Sequence, residues 1–279
     1  MTRSAEGQGY AAHVPSRRHA RFQCLSPHWT PDYLSRLIPS LLPARLVIIP
    51  TYNEMENIRD IATRVFGLQP EFHVLVVDDG SPDGTAAIVK DLQAQWPDRL
   101  HMLERSGKLG LGTAYITGFK WAIERKYDFI FEMDADFSHD PNDLVRLYEA
   151  CAKGGADMSV GSRYVDGGHV KDWSWDRVML SYCASLYVRA ILWLGVRDTT
   201  AGFVCYKRHV LERLPLDAIK FVGYAFQIEM KYRTKLAGFK IVEVPITFID
   251  RVKGKSKMSA NIFREAIIGV WKMKTISQR

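Results

Sequence analysis

Tyr127–Pro141 reads YDFIFEMDADFSHDP, and its middle changes from a short apolar run into acidic residues at Asp134 and Asp136. An apolar run of this length, bounded by turn residues, is typical of a buried strand in a parallel sheet. Ligands of such sheets bind just beyond the carboxyl ends of the strands, where both aspartates would lie. Two carboxylates one residue apart suit Mg²⁺ or Mn²⁺ held together with substrate phosphates. The alternative is a solvated loop after a strand, since so short a motif also occurs by chance.

The composition is that of one globular α/β domain with an excess of positive charge. The 279 residues are 47% hydrophobic and 25% charged, with a formal net charge of +7. This charge favours an anionic partner such as a nucleotide or an acidic membrane surface; with no nucleic-acid motif in the chain, we predict no nucleic-acid partner. The four cysteines lie far apart without a C-x-x-C pair, which indicates reduced thiols in a cytosolic setting. No uninterrupted apolar run reaches the roughly 18 residues of a spanning helix.

The beginning of the chain differs from the rest. Residues 1–43 are rich in Arg, His, Ser and Pro and show no sustained hydrophobic period. We predict a mostly disordered arm over 1–43 and a single domain over 44–279. The arm lacks the compact apolar segment of a secretory signal.

Strand-like and helix-like segments alternate through the domain. Such alternation predicts βαβ units and a mostly parallel sheet flanked by helices. A late strand is predicted over Val242–Ile249, where Pro245 suggests an edge position. The other predicted strands are Arg45–Pro50, His73–Asp78, Leu100–Glu104, Phe129–Met133 and Met158–Gly161, and the helices span 56–66, 85–94, 110–124, 142–153 and 224–237.

Acidic strand ends recur, because the second strand closes in Asp78 and Asp79 as the later one does in Asp134 and Asp136. One crevice lined by both pairs explains this recurrence better than two unrelated solvated loops. Asp78 is expected to bond the backbone of its own turn, as aspartate often does.

A dinucleotide fingerprint is not met at Gly110–Gly112, since Tyr115 stands where G-x-G-x-x-G needs its last glycine. A dehydrogenase is therefore a poor fit. We expect these glycines to let a helix begin close to a nucleotide.

Six motifs follow one another along the chain: PTYNE (50–54), VVDDGSPDGT (76–85), KLGLGTAYITG (108–118), DADFSHDP (134–141), GSRYVDGG (161–168) and RVKGKSK (251–257). In this order they resemble an inverting family 2 glycosyltransferase of the GT-A fold, and within it the dolichyl-phosphate (polyprenyl-phosphate) mannose synthases. The resemblance covers about residue 45 to the C-terminus. It implies a Rossmann-like sheet and transfer of mannose from GDP-mannose to a polyprenyl (dolichyl) phosphate with inversion.

The resemblance also implies roles for matching residues. Mg²⁺ or Mn²⁺ would be held by Asp134 and Asp136, with Ser138 as a further ligand, directly or through water. Arg163 and Arg177 would hold the acceptor phosphate, because a guanidinium grips phosphate through paired hydrogen bonds. With Asp136 they form the expected catalytic set. The residues expected to bind the donor nucleotide are Pro50, Tyr52, Glu54, Val77, Asp79, Asp134, Ala135, Arg251 and Lys257; the 198–203 loop would lie beneath the donor sugar.

The most apolar long segment is Val178–Val196, interrupted by Arg189 and dotted with aromatic residues. We predict an amphipathic helix lying in a membrane interface, although an ordinary packing helix is an alternative. Ile262–Ile276 is a second, basic candidate. The spanning segments of several family members are not found, so we expect peripheral attachment at the cytoplasmic face of a membrane or attachment through an anchoring subunit.

Two rival functions stay open at the sequence level. The same fold could use other substrates, for example UDP-glucose as the donor with a polyprenyl phosphate, or a sugar as the acceptor. The chain could also be a non-catalytic nucleotide-sugar-binding subunit of a membrane complex. The intact sets of carboxylates and arginines argue against the second rival.

Overall fold

The computed structural model describes residues 43–219, 221, 223–250 and 269–275. The strands are β1 (Arg45–Thr51), β2 (His73–Asp78), β3 (Leu100–Glu104), β4 (Phe129–Glu132), β5 (Met158–Ser162), β6 (His169–Lys171), β7 (Val204–Lys207), β8 (Ile241–Pro245) and β9 (Thr247–Ile249). The helices are α1 (Ile58–Phe66), α2 (Thr85–Gln95), α3 (Leu111–Glu124), α4 (Asp143–Ala152), α5 (Trp175–Leu192), α6 (Arg208–Arg213), α7 (Tyr224–Leu236) and α8 (269–275). Almost all of the predicted arm lies outside the described residues, so its boundary at residue 43 stays a prediction.

Seven strands form the main sheet in the order β3-β2-β1-β4-β7-β5-β8. All pairs are parallel except those of β7, which runs antiparallel to both β4 and β5. The expectation of a mostly parallel α/β sheet flanked by helices is therefore confirmed. The β1 strand, in the middle of the parallel part, is fully buried from Leu46 to Ile49. Both of its faces are covered by helices, which is why its sequence is continuously apolar.

Alternate residues of β1 belong to two different cores, because successive side chains of a strand point to opposite faces. Val47 and Ile49 pack in the core that also includes residues of α1, α2 and α4. Leu46 and Ile48 pack on the other side, with residues of α3, α6 and α7. Full burial of each such side chain stabilises the fold by about 1.5–3 kcal/mol. The helices cover the two faces and leave the carboxyl ends of the strands for a ligand.

The predicted late strand is divided in two. Its first part is β8, an edge strand of the main sheet that ends at Pro245, as the proline suggested. Proline has no N–H to extend the ladder. The chain then crosses at Ile246 and continues as β9, which pairs in parallel with β6 as a separate two-stranded sheet. This crossing brings Phe248 and Asp250 to the carboxyl end of the main sheet.

The α5 helix begins three residues before the predicted segment and ends at Leu192, after which Trp193 adopts a left-handed φ of 53°. Val188 and Ile191 pack against residues of α7 and α8 in a third core. Five large apolar side chains of the helix are solvent-exposed. We call this exposed set the α5 stripe: Trp175, Met179, Leu180, Tyr182 and Leu186. The helix is thus a packing helix, the alternative that the sequence analysis left open, with large apolar side chains that are also exposed.

Candidate active site

A cleft of about 400 Å³ opens at the carboxyl ends of the strands. Its walls come from the loops after β1, β2, β4 and β5, where the sequence placed the ligand site. Val77 is not among the residues that line the cleft, and its side chain is fully buried in the core, so a contact with the nucleotide would have to come from its backbone. Arg251 and Lys257 lie outside the described residues. The other predicted site residues all line the cleft: Pro50, Tyr52, Glu54, Asp79, Asp134, Ala135, Asp136, Ser138, Arg163 and Arg177.

The two aspartates after β2 have different environments. Asp78 is buried and accepts hydrogen bonds from the Thr51 hydroxyl at 2.7 Å and from the Ser81 hydroxyl and backbone N–H at 2.6 and 2.9 Å. It therefore holds the turn together, as predicted. Asp79 faces the cleft and accepts a hydrogen bond from Arg105 Nε at 2.6 Å.

Arg105 is a residue that the sequence analysis missed. Besides Asp79, it donates to the Thr113 hydroxyl at 2.8 Å and to the Gly110 carbonyl at 3.2 Å. It thereby ties the end of β2 to the glycine-rich loop and to the first turn of α3. Its position gave a signal, because it directly follows β3 at the carboxyl edge of the sheet.

Gly112 has a different role from the expected approach to a nucleotide. A Cβ at this position would lie 2.6 Å from the carbonyl oxygen of Phe221 and 2.9 Å from the ring of Phe226. The missing side chain therefore lets α3 pack tightly against the segment that includes the start of α7.

Asp134 and Asp136 both line the cleft. Asp136 is buried, and its Oδ1 accepts the backbone N–H of Ser138 at 3.0 Å. In the part of the chain that the structure describes, no group of three or more His, Cys, Asp or Glu residues is placed to hold a metal. Two carboxylates fit Mg²⁺ or Mn²⁺ all the same, because these ions usually keep waters and substrate phosphates as their remaining ligands.

His139 is buried beside these carboxylates and stacks on Phe203, with ring centroids 4.8 Å apart. Burial, helped by the nearby charge of Arg163, lowers the pKa of His139 to about 4, although Asp136 and Asp198 oppose the change. The imidazole is consequently neutral at physiological pH. It acts as a packing group of the cleft wall.

Arg163 forms a bidentate ion pair with Asp198. Its Nε and Nη2 each donate to one carboxylate oxygen at 2.7 Å, and Nη2 also reaches the Thr200 hydroxyl at 3.0 Å. The two side chains are 8% and 0% exposed. Burial by itself would raise the pKa of Asp198, but the Arg163 charge and its hydrogen bonds outweigh this and lower the pKa. The pair fixes the start of the 198–203 loop against β5.

Arg177 lies in a more open part of the cleft. Its Nη1 donates to Asp250 at 2.8 Å, and its guanidinium lies 4.0 Å from the ring centroid of Trp173. The same ring lies 5.4 Å from the guanidinium of Arg163. Trp173 therefore stands between the two arginines that the sequence assigns to the acceptor phosphate, and sequence reasoning gave it no role.

A buried polar network lies beneath the cleft. Glu132 of β4 accepts hydrogen bonds from the Tyr206 hydroxyl at 3.0 Å and from Nε2 of Gln227. Burial raises the pKa of Glu132 to about 7, against the opposing effects of Gln227, Lys231 and Tyr206. Lys231 is also buried, and burial lowers its pKa to about 8 while Glu132 and Asp198 act to raise it. The two opposite charges compensate each other.

This network also holds the 198–203 loop. Lys231 Nζ donates to the Ala201 carbonyl at 2.6 Å. Glu243 of β8 accepts the backbone N–H groups of Arg197 and Asp198 at 2.7 and 2.9 Å. Charged side chains thus hold both ends of the loop segment whose residues Thr200, Ala201 and Gly202 line the cleft.

Comparison with known proteins links this cleft to one family. Residues 46–214 match the family model described as glycosyl transferase family 2. The chain is 51% identical over 225 residues to a polyprenol monophosphomannose synthase of Mycolicibacterium smegmatis, covering 81% of this chain and 84% of the relative. It is 48% identical over 225 residues to an undecaprenyl-phosphate mannosyltransferase of Micrococcus luteus, covering 81% and 91% of the two chains.

Among solved structures, the fold is similar to glucosyl-3-phosphoglycerate synthase of Mycobacterium tuberculosis. The complex with Mn²⁺, UDP and phosphoglyceric acid superposes with a TM-score of 0.61 at 18% identity, over 89% of this chain and 84% of the other. The complex with Mn²⁺, UDP-glucose and phosphoglyceric acid gives a TM-score of 0.59 at 17% identity, over 89% and 85%. At such identity the likeness establishes the fold alone.

Proposed function

The chain belongs to glycosyl transferase family 2 and has the GT-A fold, and from this premise we propose that it transfers mannose from GDP-mannose to the phosphate of a polyprenol, with inversion and release of GDP. One observation carries the proposal. A single cleft brings together the Asp134–Asp136 pair and the two arginines Arg163 and Arg177. The names of the two relatives about half identical to this chain support a polyprenyl-phosphate acceptor and mannose as the transferred sugar.

The donor half of the site lies between the loops after β1, β2 and β4. Tyr52 offers an aromatic face with Lys108 Nζ 5.0 Å from the ring centroid, and Glu54 and Asp79 offer carboxylates. Carboxylates accept hydrogen bonds from ribose hydroxyls and from the N–H groups of guanine. Asp134 and Asp136 would hold Mg²⁺ or Mn²⁺, which when bound neutralises the diphosphate and makes it a better leaving group. The Mn²⁺ complexes of the fold neighbour support a divalent ion.

The acceptor half is basic and aromatic. A phosphate monoester has a second pKa of about 6, so the nucleophile is already an anion at neutral pH. One of its oxygens would attack the anomeric carbon from the face opposite the diphosphate as the bond to GDP breaks. Because this nucleophile carries no proton to remove, no general base is needed. Catalysis would come from positioning and from charge stabilisation.

The two arginines would contribute differently. Arg163 donates to Asp198 through Nε and Nη2. It would therefore contact the acceptor phosphate while it stays paired with Asp198, and it would also position the 198–203 loop. Arg177, whose side chain is 39% exposed, would meet the phosphate near the cleft entrance. Its place on α5 couples the acceptor site to the helix that carries the exposed apolar stripe.

The function is tested by supplying purified protein with Mg²⁺ or Mn²⁺, a short polyprenyl phosphate and radiolabelled sugar nucleotide. We expect label in the organic phase with GDP-mannose, none with UDP-glucose, and loss of the signal when EDTA is added. If only UDP-glucose labels the lipid, then UDP-glucose and not GDP-mannose is the donor. Tight binding of GDP-mannose without turnover over any lipid phosphate would instead support the non-catalytic subunit.

We also propose that the protein lies on the cytoplasmic face of a membrane, directly or through an anchoring subunit. Within the described ranges, no helix combines the length and hydropathy needed to cross a bilayer. The α5 stripe is apolar and exposed, as are Trp193 and Trp271, which are 79% and 56% exposed. The exposed apolar side chains of α5, and Trp271 beside Lys272 and Lys274 on α8, have the composition of helices that lie in an anionic interface.

Replacing two residues of the stripe is expected to weaken this contact. Trp175→Ser together with Leu180→Ser should lower binding to anionic phospholipid vesicles at least about tenfold, because each burial in the interface contributes about 1.5–3 kcal/mol. Vesicle flotation measures the bound fraction. Met55→Ser is the control, since Met55 is 47% exposed but lies outside α5. Equal binding of both variants and the unmodified protein would contradict the proposed contact.

A further inference from the structure

Gln227 is the one member of the buried network that also lines the cleft. Its side chain is 2% exposed. Nε2 donates to Glu132, but Oε1 finds no hydrogen-bond partner among the residues that the structure describes. A buried amide oxygen without a partner carries a substantial desolvation penalty, so such atoms normally face a ligand or a water.

The orientation of the amide follows from its neighbours. Glu132 accepts hydrogen bonds from the Tyr206 hydroxyl at Oε1 and from Gln227 Nε2 at Oε2. Because both oxygens of the carboxyl group act as acceptors, Gln227 turns Nε2 toward Glu132 and leaves Oε1 on the other side of the amide. The network therefore presents an acceptor, rather than a donor, at the remaining end of Gln227.

Gly202 lies next to the Nε2 end of this amide. A Cβ built at Gly202 would lie 3.6 Å from Nε2 of Gln227, an ordinary contact distance. Gly202 belongs to the 198–203 loop, which Lys231 holds through the Ala201 carbonyl. The same buried lysine thus compensates the charge of Glu132 and fixes the loop that frames the amide.

We propose that Gln227 Oε1 accepts a hydrogen bond from a hydroxyl group of the donor hexose, which makes Gln227 a residue that determines sugar specificity. This inference rests on the proposed function. A neutral acceptor suits a sugar hydroxyl and does not suit a phosphate oxygen, which offers no proton at neutral pH. Glu132 is the positioning residue that holds the amide, and Lys231 is the one that holds the loop.

The test compares unmodified protein with Gln227→Met, which keeps the length of the side chain but removes both the Oε1 acceptor and the Nε2 donor to Glu132. We expect the affinity for GDP to change less than twofold and kcat/KM for GDP-mannose to fall about tenfold, the effect of losing one neutral hydrogen bond. The donors are then GDP-mannose and its 2-, 3-, 4- and 6-deoxy analogues. For the analogue that lacks the contacted hydroxyl, the ratio of kcat/KM in the unmodified protein to kcat/KM in Gln227→Met should approach one.

Tyr206→Phe is the matched control. It removes the other hydrogen bond to Glu132 at a fully buried site but leaves Gln227 in place. It should respond to all the deoxy donors as the unmodified protein does.

Two outcomes would overturn the inference while leaving the proposed function intact. One is unchanged kcat/KM in Gln227→Met, and the other is an equal loss with every deoxy donor, which would assign Oε1 to a water. If the unmodified protein transfers no mannose, the proposed function fails instead. In that case calorimetry measures the affinities for GDP-mannose and for GDP in the unmodified protein and in Gln227→Met. A loss of affinity for GDP-mannose alone would support the contact with the sugar.

Discussion

Asp136→Ala is expected to lower mannosyl transfer at least about 1,000-fold while the protein stays folded. Asp136 lines the cleft as one of the two proposed metal ligands. Without its carboxylate the charge that develops on the departing diphosphate loses its main stabilisation, and removing one such electrostatic group commonly costs about 100- to 1,000-fold. Weaker binding of the ion itself would add to this loss. Label transferred to the organic phase measures the effect.

Stability should change much less than activity. The hydrogen bond from the Ser138 N–H to Asp136 is worth about 0.5–1.5 kcal/mol, so the thermal midpoint should fall by only a few degrees. Asp140→Ala is the matched control from the same stretch, because Asp140 is exposed and caps the turn before α4 through the Asn142 N–H at 2.9 Å. It should keep nearly full transfer. If the Asp136→Ala enzyme is folded and active, Asp136 is not a ligand of the catalytic metal.

The parallel part of the fold was predictable because its signal is local. Runs such as His73–Asp78 are apolar throughout and close in acidic residues, and both properties follow from burial on two faces with a ligand at one edge. The antiparallel strand β7 was not predicted. Its four residues, Val204–Lys207, are too few to show the alternating hydrophobic pattern of a strand. Their partners in β4 and β5 also lie far away in the sequence. Only the assembled sheet specifies that pairing.

The site divides in the same way. Residues that form part of a contiguous motif, such as Asp134 and Asp136, were identified, whereas the partners that hold them in place were not. Asp198 and Arg163 are separated by 35 positions, and no local pattern connects them. Besides the position of Arg105, Glu132 was a signal that could have been used. A carboxylate inside a buried apolar strand requires compensating partners, which the structure supplies as Gln227, Tyr206 and Lys231.

Arg163→Ala is expected to affect both stability and activity. Asp198 is fully buried, and without its partner it would keep an uncompensated charge in the core of the site. Removing one member of a buried ion pair usually costs about 3–5 kcal/mol. The 198–203 loop would also lose its anchor at Thr200. We expect a large drop in the denaturant midpoint and loss of transfer by about 100-fold or more.

A double variant separates the two effects. In Arg163→Ala with Asp198→Asn the buried charge is gone, so much of the lost stability should return, because an amide costs far less to bury than a carboxylate. Transfer should stay low if the arginine contributes to the acceptor site, and it should recover along with stability if its role is only structural. Arg177→Ala is the comparison, since its ion pair with Asp250 is partly exposed and worth about 0–1 kcal/mol. That variant should keep the stability of the unmodified protein and raise KM for the lipid phosphate. If Arg177→Ala leaves this KM unchanged while Arg163→Ala raises it, then Arg163 alone holds the acceptor.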